Sequence, residues 1–586
     1  MSVDTHHEAR GLARVVPMVG WLRTYDRSWL TGDLVAGLTV WALVVPESMA
    51  YAGVAGVPVQ YGLYAVILAV VGYAVFGSSP RLFVGPSSTV AALSAVVVGS
   101  VVSGGGDDFV ALSAALAVLV GVLYVLAGLL RLGFVANFFA KPVLDGFIAG
   151  LGLYIAVGQL PKLVGIESPD GNTVLKAVRT VAEIGDWSVL AAVVGVAALV
   201  LLFGLERFAP RLPGALLVAA AGIAVTAVFG LADVDGGGGL AIVGEVPTGF
   251  SPVSWDGVTL DAVVAMVPGA LGILVVGFAQ SVAIAKAYAT KYHDPTDPSQ
   301  EMIGYGAANV GAGLLGGFTV TGSLSKSAAA ESAGGRTPVV SLTVGIATLA
   351  TVLFLAGVFE QLPEPVLAAI VIVAVWGMID FAPVVRLRRA GTVDFWLALA
   401  AFAGVVLVGI LPGIVVGVVL SLMLFQHRVD RPHAAVLGRR PDGQTWGDLA
   451  EHDDYRPEAG VFVYRWDAPL IFANADHFGH DLAMRLHDRD ESTRAVVVDC
   501  ETCFDIDTTG SATLEELQAT LADDGIALHL AHLHGEVRDA LVRDGTLAMI
   551  GPDHVHDTVR GAVDAALAGQ ATDRHGDQRS TTGDPE

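Results

Sequence analysis

The sequence predicts a polytopic α-helical membrane protein of 14 spans, arranged as a 7+7 inverted repeat with two short half-helices and followed by a C-terminal α/β domain. Three observations carry that prediction. Of 586 residues, 54% are hydrophobic and only 15% charged, and the mean hydropathy of +0.63 is too high for a soluble protein of this size. The apolar character stops near Phe425, and the remainder of the chain is polar, acidic and rich in His and Arg. Finally, two helix-breaking stretches interrupt the apolar region at corresponding places: Val84-Gly85-Pro86-Ser87-Ser88-Thr89 and Thr321-Gly322-Ser323-Leu324-Ser325-Lys326-Ser327.

Residues 1–31 carry Arg10, Arg14, Arg23 and Arg27 but no apolar stretch followed by a small-residue cleavage site. They read as a cytoplasmic segment, not a signal peptide. Apolar runs then fall near 33–51, 61–76, 86–101, 110–130, 143–160, 187–204, 212–231, 261–285, 302–317, 324–335, 338–358, 365–380, 393–411 and 412–426. Most have the length of a span. An even number of spans puts both termini on one side. Arg131 and Lys141, Arg207 and Arg211, Lys286 and Lys291, and Arg386, Arg388 and Arg389 occupy alternate loops, whereas residues 231–260 hold no Lys or Arg. Both termini are therefore expected in the cytoplasm, with the protein in the cell inner membrane. The loop around Lys162, Lys176 and Arg179 departs from this distribution. The expected domains are a membrane region over 32–427, a linker over 428–459, the α/β domain over 460–568 and a disordered tail over 569–586.

The two hydroxyl-rich stretches each open a short apolar run. A helix starting there leaves its first N–H groups without intrahelical partners and concentrates about half a positive charge at that end. Two such ends facing one another make an anion site. An internal echo supports the pairing: Pro46-Glu47-Ser48-Met49-Ala50 in the first run corresponds to Ala279-Gln280-Ser281-Val282-Ala283 in the eighth, each followed by one of the two stretches. Seven spans separate the copies, and an odd repeat forces the second to run inverted, the design of secondary transporters.

These residues also carry a family resemblance. AGLTVWALVVPESMAYAGVAGVPVQYGLYA, VGPSST, VGFAQSVAIAKAYA and GSLSKSAAAESAGGRTP together resemble the SulP anion permeases of the solute carrier 26 type, and VYRWDAPLIFANADHF and VVVDCETCFDIDTTG resemble the STAS domain attached to them. The resemblance implies a core and a gate domain, elevator-like carriage of the anion between them, and a homodimer.

Lys326 is a cation within an apolar region at a helix start, so it needs an anion nearby. That anion is either the substrate, held also by Ser325 and by groups around Ser87, Ser88 and Thr89, or a carboxylate such as Glu47; a third reading lets the lysine snorkel to the interface. Members of the family generally have Arg here, and Lys lacks its two-pronged geometry for oxyanions. Glu47 follows Pro46 in a low-dielectric setting, which favours its neutral form and suits it to couple a proton to anion entry. Gln280 stands where the family commonly has a carboxylate; it can bind substrate but not carry a proton or hold sodium strongly. Tyr51, Gln60 and Tyr61 are polar lining or packing. Glu331 faces either the site or the cytoplasmic vestibule.

The C-terminal region alternates strands at 460–466, 469–473, 495–499 and 526–531 with helices at 475–487, 510–521 and 536–543. By resemblance, the turn Asp507-Thr508-Thr509-Gly510 offers Thr509 as a regulatory phosphorylation site; the alternative is a plain helix cap. Cys500 and Cys503 are too few for a disulfide framework and lack the further ligands a metal needs. No cofactor, metal or enzymatic role is expected. From Arg431 onward acidic residues outnumber arginines more than two to one and lysine is absent, which argues against nucleic acid and anionic lipid.

The reading is a secondary active anion transporter, a proton-coupled symporter of sulfate, bicarbonate or a dicarboxylate. Its partners would be the small anion, protons, the lipid bilayer, a second copy and a possible cytosolic partner of the STAS domain. The alternatives are an uncoupled exchanger or chloride conductor on the same fold, a nucleobase-type permease, and a sensor merely anchored by its membrane part.

Overall fold

A computed structural model describes residues 16–580 apart from 103–105, 135–140, 210–211, 233–238, 252, 256, 295, 391, 442, 444 and 488–491. Arg10, Arg14, Arg211 and most of the glycine run at 236–239 lie outside the described residues. The chain divides into two compact units after Ser421.

In the first unit, helical segments occupy the apolar runs in order: α1 (Leu30–Ala55), α2 (Val59–Phe76), α3 (Ser88–Gly99), α4 (Asp107–Leu129), α5 (Lys141–Val164), α6 (Val189–Phe208), α7 (Gly214–Phe229), α8 (Leu260–Tyr292), α9 (Pro298–Leu314), α10 (Leu324–Ser332), α11 (Val339–Ala350), α12 (Glu364–Trp376), α13 (Thr392–Ala403) and α14 (Ile410–Asp430). Two short amphipathic helices, Thr173–Ala182 and Ala382–Ala390, sit in stretches read as loops. At 1.5 Å per residue α3 and α10 reach only about 18 and 14 Å, well short of a bilayer's hydrocarbon core.

The helices sort by contact into two bundles. α1 to α4 pack with α8 to α11, while α5 to α7 pack with α12 and α13. Small residues allow the close crossings, as in membrane helices generally. A Cβ on Gly121 of α4 would lie 2.7 Å from the Gly306 carbonyl of α9, and one on Gly306 would lie 2.7 Å from the Gly121 carbonyl. In the second bundle Gly146 of α5 lies so close to Ala398 of α13 that a Cβ would come within 2.0 Å of its carbonyl.

Buried carboxylates tie loops to the first bundle. Glu301, fully buried on α9, accepts from the Tyr73 and Tyr305 hydroxyls at 2.8 and 2.6 Å and from Ser78 N and Ser79 N at 2.8 Å. Asp33, equally buried, accepts from Arg336 N at 2.7 Å and Thr337 Oγ1 at 2.6 Å, joining the start of α1 to the loop after α10.

The second unit is a six-stranded sheet of order β4-β3-β5-β6-β7-β8, formed by β3 (Ala434–Arg439), β4 (Trp446–Asp448), β5 (Val461–Trp466), β6 (Ala495–Asp499), β7 (Ala527–Ala531) and β8 (Val555–His556). The strands from β5 to β8 are parallel; β3 is antiparallel to both neighbours. Alternation along each strand serves two faces. Tyr464, Trp466, Val496 and Val498 pack under α15 (Ala475–His487), α16 (Thr508–Asp523) and α17 (Gly535–Asp544). Val461, Val463, Ala495 and Val497 pack under α18 (Val559–Ser580) through Val559, Ala562, Val563 and Ala566.

Three expectations are corrected. The stretch 428–459 is not a linker, because α14 runs through it to Asp430 and β3 and β4 extend the sheet. Residues 469–473 form no strand; one bridge between Leu470 and Ile506 is all the pairing they make, with Asn474 accepting from Ile471 N at 3.0 Å to hold a turn. The tail read as disordered from 569 continues α18 to Ser580; residues 581–586 lie outside the described residues.

Candidate anion site

The two hydroxyl-rich stretches meet. β1 (Phe83–Gly85) and β2 (Thr321–Ser323) form an antiparallel ladder, Phe83 opposite Ser323 and Gly85 opposite Thr321. α3 follows β1 after a two-residue step, and α10 follows β2 directly, so the two helix starts flank a ladder roughly 10 Å long. Ser87 and Ser323 are the N-caps.

The junction is held by side chains inserted into the ladder. Ser281 Oγ of α8 lies 2.6 Å from Thr321 Oγ1 and accepts from Gly322 N at 2.9 Å. Ser327 Oγ accepts from Phe83 N at 2.9 Å and donates to Ser323 O at 2.7 Å. Asn309 of α9 accepts from Val320 N and donates to Val320 O, both at 2.9 Å.

Lys326 is 2% exposed, and its Nζ lies 2.6 Å from Glu47 Oε2 of α1. Tyr51, one turn further along α1 and itself buried, donates its hydroxyl to Glu47 Oε2 at 3.3 Å and sets its ring 5.2 Å from Lys326 Nζ. Of the readings open for Lys326, its position removes snorkelling and joins it to Glu47.

The hydroxyls divide. Ser325 is exposed and lines, with Glu47, a cavity of about 770 Å³ between α1, α6, α7, α10 and α12. Ser87 Oγ is buried with no hydrogen-bond partner among the described residues, as are Ser48 Oγ, Ser94 Oγ and Ser113 Oγ elsewhere in the unit. Ser88 Oγ lies 3.6 Å from Met378 Sδ, just past α12 in the second bundle. Thr89 is buried. Gln280 is half-buried on α8; like Ser87, Ser88, Thr89 and Lys326, it is not among the residues lining that cavity. Its neighbour Ser281 makes the contact to the ladder.

Glu331 is tied away from the site by Lys291, Tyr292 and Tyr288 of α8. Tyr61 packs edge-on against Tyr64. Sequence reasoning missed Glu206, which brings a second carboxylate into the cavity from α6; its only signal was an acid beside Arg207 at a run's end.

In the second unit Thr509 is exposed at the start of α16. Asp507 already caps that helix, Oδ1 accepting from Thr509 N and Gly510 N at 3.0 and 2.9 Å and Oδ2 from Phe472 N at 2.7 Å. Cys500 and Cys503 are both free and buried, and burial raises both thiols, Cys503 to about 11.

Two short helices start from one ladder in an apolar many-helix unit, a buried ion pair lies beside them, and an α/β domain follows in the chain. The chain belongs to the sulfate permease family: that family's sequence model matches residues 30–401, and the STAS domain model matches 454–562. It is 35% identical over 553 residues to a probable sulfate transporter of Mycobacterium tuberculosis, covering 94% of this chain and 97% of the relative. To the chloroplastic sulfate transporter 4.1 of Arabidopsis thaliana it is 30% identical over 578 residues, with 95% and 84% covered. Its fold is shared with murine solute carrier 26 family member A9 in the inward-facing state, at a TM-score of 0.87, 22% identity and 97% of both chains covered. The transmembrane domain of a cyanobacterial bicarbonate transporter matches at a TM-score of 0.58 and 21% identity, over 68% of this chain and 98% of that one. The chain is thus an anion transporter with a STAS domain, of a family of permeases and not enzymes.

Proposed function

We propose that the protein is a proton-coupled importer of a small anion, sulfate, bicarbonate or a dicarboxylate, working in an elevator-like manner as a homodimer with both termini in the cytoplasm. The observation that carries this reading is the buried pair of Lys326 with Glu47. While Glu47 is ionised, it satisfies Lys326 and an incoming anion has no free charge to bind. A proton on Glu47 Oε2 ends the pair and leaves the ammonium beside the Tyr51 ring. A substrate anion then takes the carboxylate's place, supported by Ser325 and by the unpartnered Ser87 hydroxyl at the facing helix start. Proton and anion each favour the other's binding, as linkage requires. The co-carried proton also offsets the membrane potential, which otherwise opposes anion entry by about 2.3 kcal/mol per charge per 100 mV.

For the STAS domain we propose a regulatory role. A phosphate on Thr509 would repel Asp507 and unseat its bond to Phe472 N.

Uptake of labelled sulfate, bicarbonate and dicarboxylate into proteoliposomes, with and without an inward proton gradient, tests the coupling. Glu47→Gln should transport without dependence on pH. If the gradient still drives accumulation in that variant, Glu47 is not the coupling group.

A further inference from the structure

A second cavity, of about 410 Å³, lies against the other half of α1. It touches α1 at Met49, Ala50 and Gly53, whereas the larger cavity touches it at Thr39, Leu43 and Glu47. The two therefore lie on opposite sides of the Glu47–Lys326 pair, and Gly53 is about 9 Å beyond Glu47 along the helix.

The cavity's polar lining is Gln60, Gln159, Lys162, Glu245 and Glu364. Lys162, exposed in the last turn of α5, is its one cation among the described residues. A Cβ built on Gly53 would lie 3.9 Å from Lys162 Nζ, so the ammonium reaches the α1 side of the cavity. The two amides add N–H donors. With one ammonium, the two carboxylates make the lining negative overall, which opposes a dianion about twice as strongly as a monoanion. A singly charged oxyanion that keeps one O–H meets donors for its oxygens and an acceptor for its hydrogen.

We propose that this cavity is an outer docking subsite for singly charged, protonated oxyanions of the bicarbonate type, held by Lys162, Gln60 and Gln159 and selected against dianions by Glu245 and Glu364. The inference rests on the reading that anions cross the membrane at Lys326.

A thiol placed at Gly53 reports on the site without requiring transport, because Gly53 is exposed and the native thiols are buried. In the full-length Gly53→Cys protein in right-side-out vesicles, impermeant sulfonate and ammonium methanethiosulfonates are added outside. Lys162→Gln should lower the ratio of anionic to cationic modification rates about tenfold. Bicarbonate should slow modification and sulfate should not, until Glu245→Gln and Glu364→Gln are combined. An unchanged ratio, or equal protection by both anions with the carboxylates intact, overturns the proposal. Lys326→Gln separates it from the transport reading: abolished uptake with bicarbonate protection retained upholds both, abolished uptake with protection lost overturns the subsite, and retained uptake overturns the transport reading on which the subsite rests.

Discussion

Lys326 and Glu47 lie far apart in the chain, and the residues alone left open whether they touch. What made each conspicuous was a charge in an apolar run; what joined them was the packing of α10 on α1, which no local pattern encodes. Removing one member of a buried pair strands the other, at roughly 3–5 kcal/mol. Lys326→Ala should therefore lower the melting temperature in detergent as well as stop uptake, and combining Lys326→Gln with Glu47→Gln should restore the melting temperature without restoring uptake. A double variant that still transports would remove Lys326 from the mechanism. Ser87→Ala makes the complementary case. Its hydroxyl has no partner among the described residues to lose, so thermal stability should stay within about 0.5 kcal/mol while the half-saturation concentration for the anion rises several-fold.

Among the elements, the hydrophobic runs foretold the membrane helices because length and periodicity are local properties. They could not show that α4 and α9 meet through glycine. Gly306→Leu should prevent that crossing and yield misfolded protein with little recoverable dimer or monomer on size exclusion, while Gly204→Leu, at a position open to space on α6, should be tolerated. The elements missed in the soluble unit have physical explanations. β3 is as long as β5, but it follows α14 after only a few residues, and the pairing with β5 that makes it a strand is not a local property. In α18 the apolar positions Val559, Ala562, Val563 and Ala566 follow helical spacing, but they span only about two turns before the sequence turns polar.

At the scale of the whole molecule, the STAS unit has its own pH response. His529 is 4% exposed, with its ring 4.5 Å from that of His554 and 5.3 Å from that of His556, both tilted. Burial first, then the charges of those two rings, pushes it down to about 4. Its folded value lies below its unfolded one near 6.5, so the unfolded state binds more protons between those values and stability falls as pH drops from about 6.5 towards 4. The loss should be of order 2 kcal/mol for this residue. Denaturant titration of the isolated unit at pH 7.5 and pH 5 measures it, and His529→Leu should flatten the difference. A fragment beginning at Arg431 should fold for that experiment. One beginning at Gly460 should aggregate, since without β3 the edge of β5 is bare.

The three-residue ladder of β1 and β2 has a mechanical consequence. It stitches the two half-helices into a single piece, so under the elevator-like motion proposed above cargo and cradle would travel together, and sliding would fall where that piece meets the second bundle. Ser88 against Met378 is one such seam. Bolting it, with cysteines at both positions under oxidising conditions, should arrest turnover reversibly, and loosening it with a reductant should set the carriage moving again.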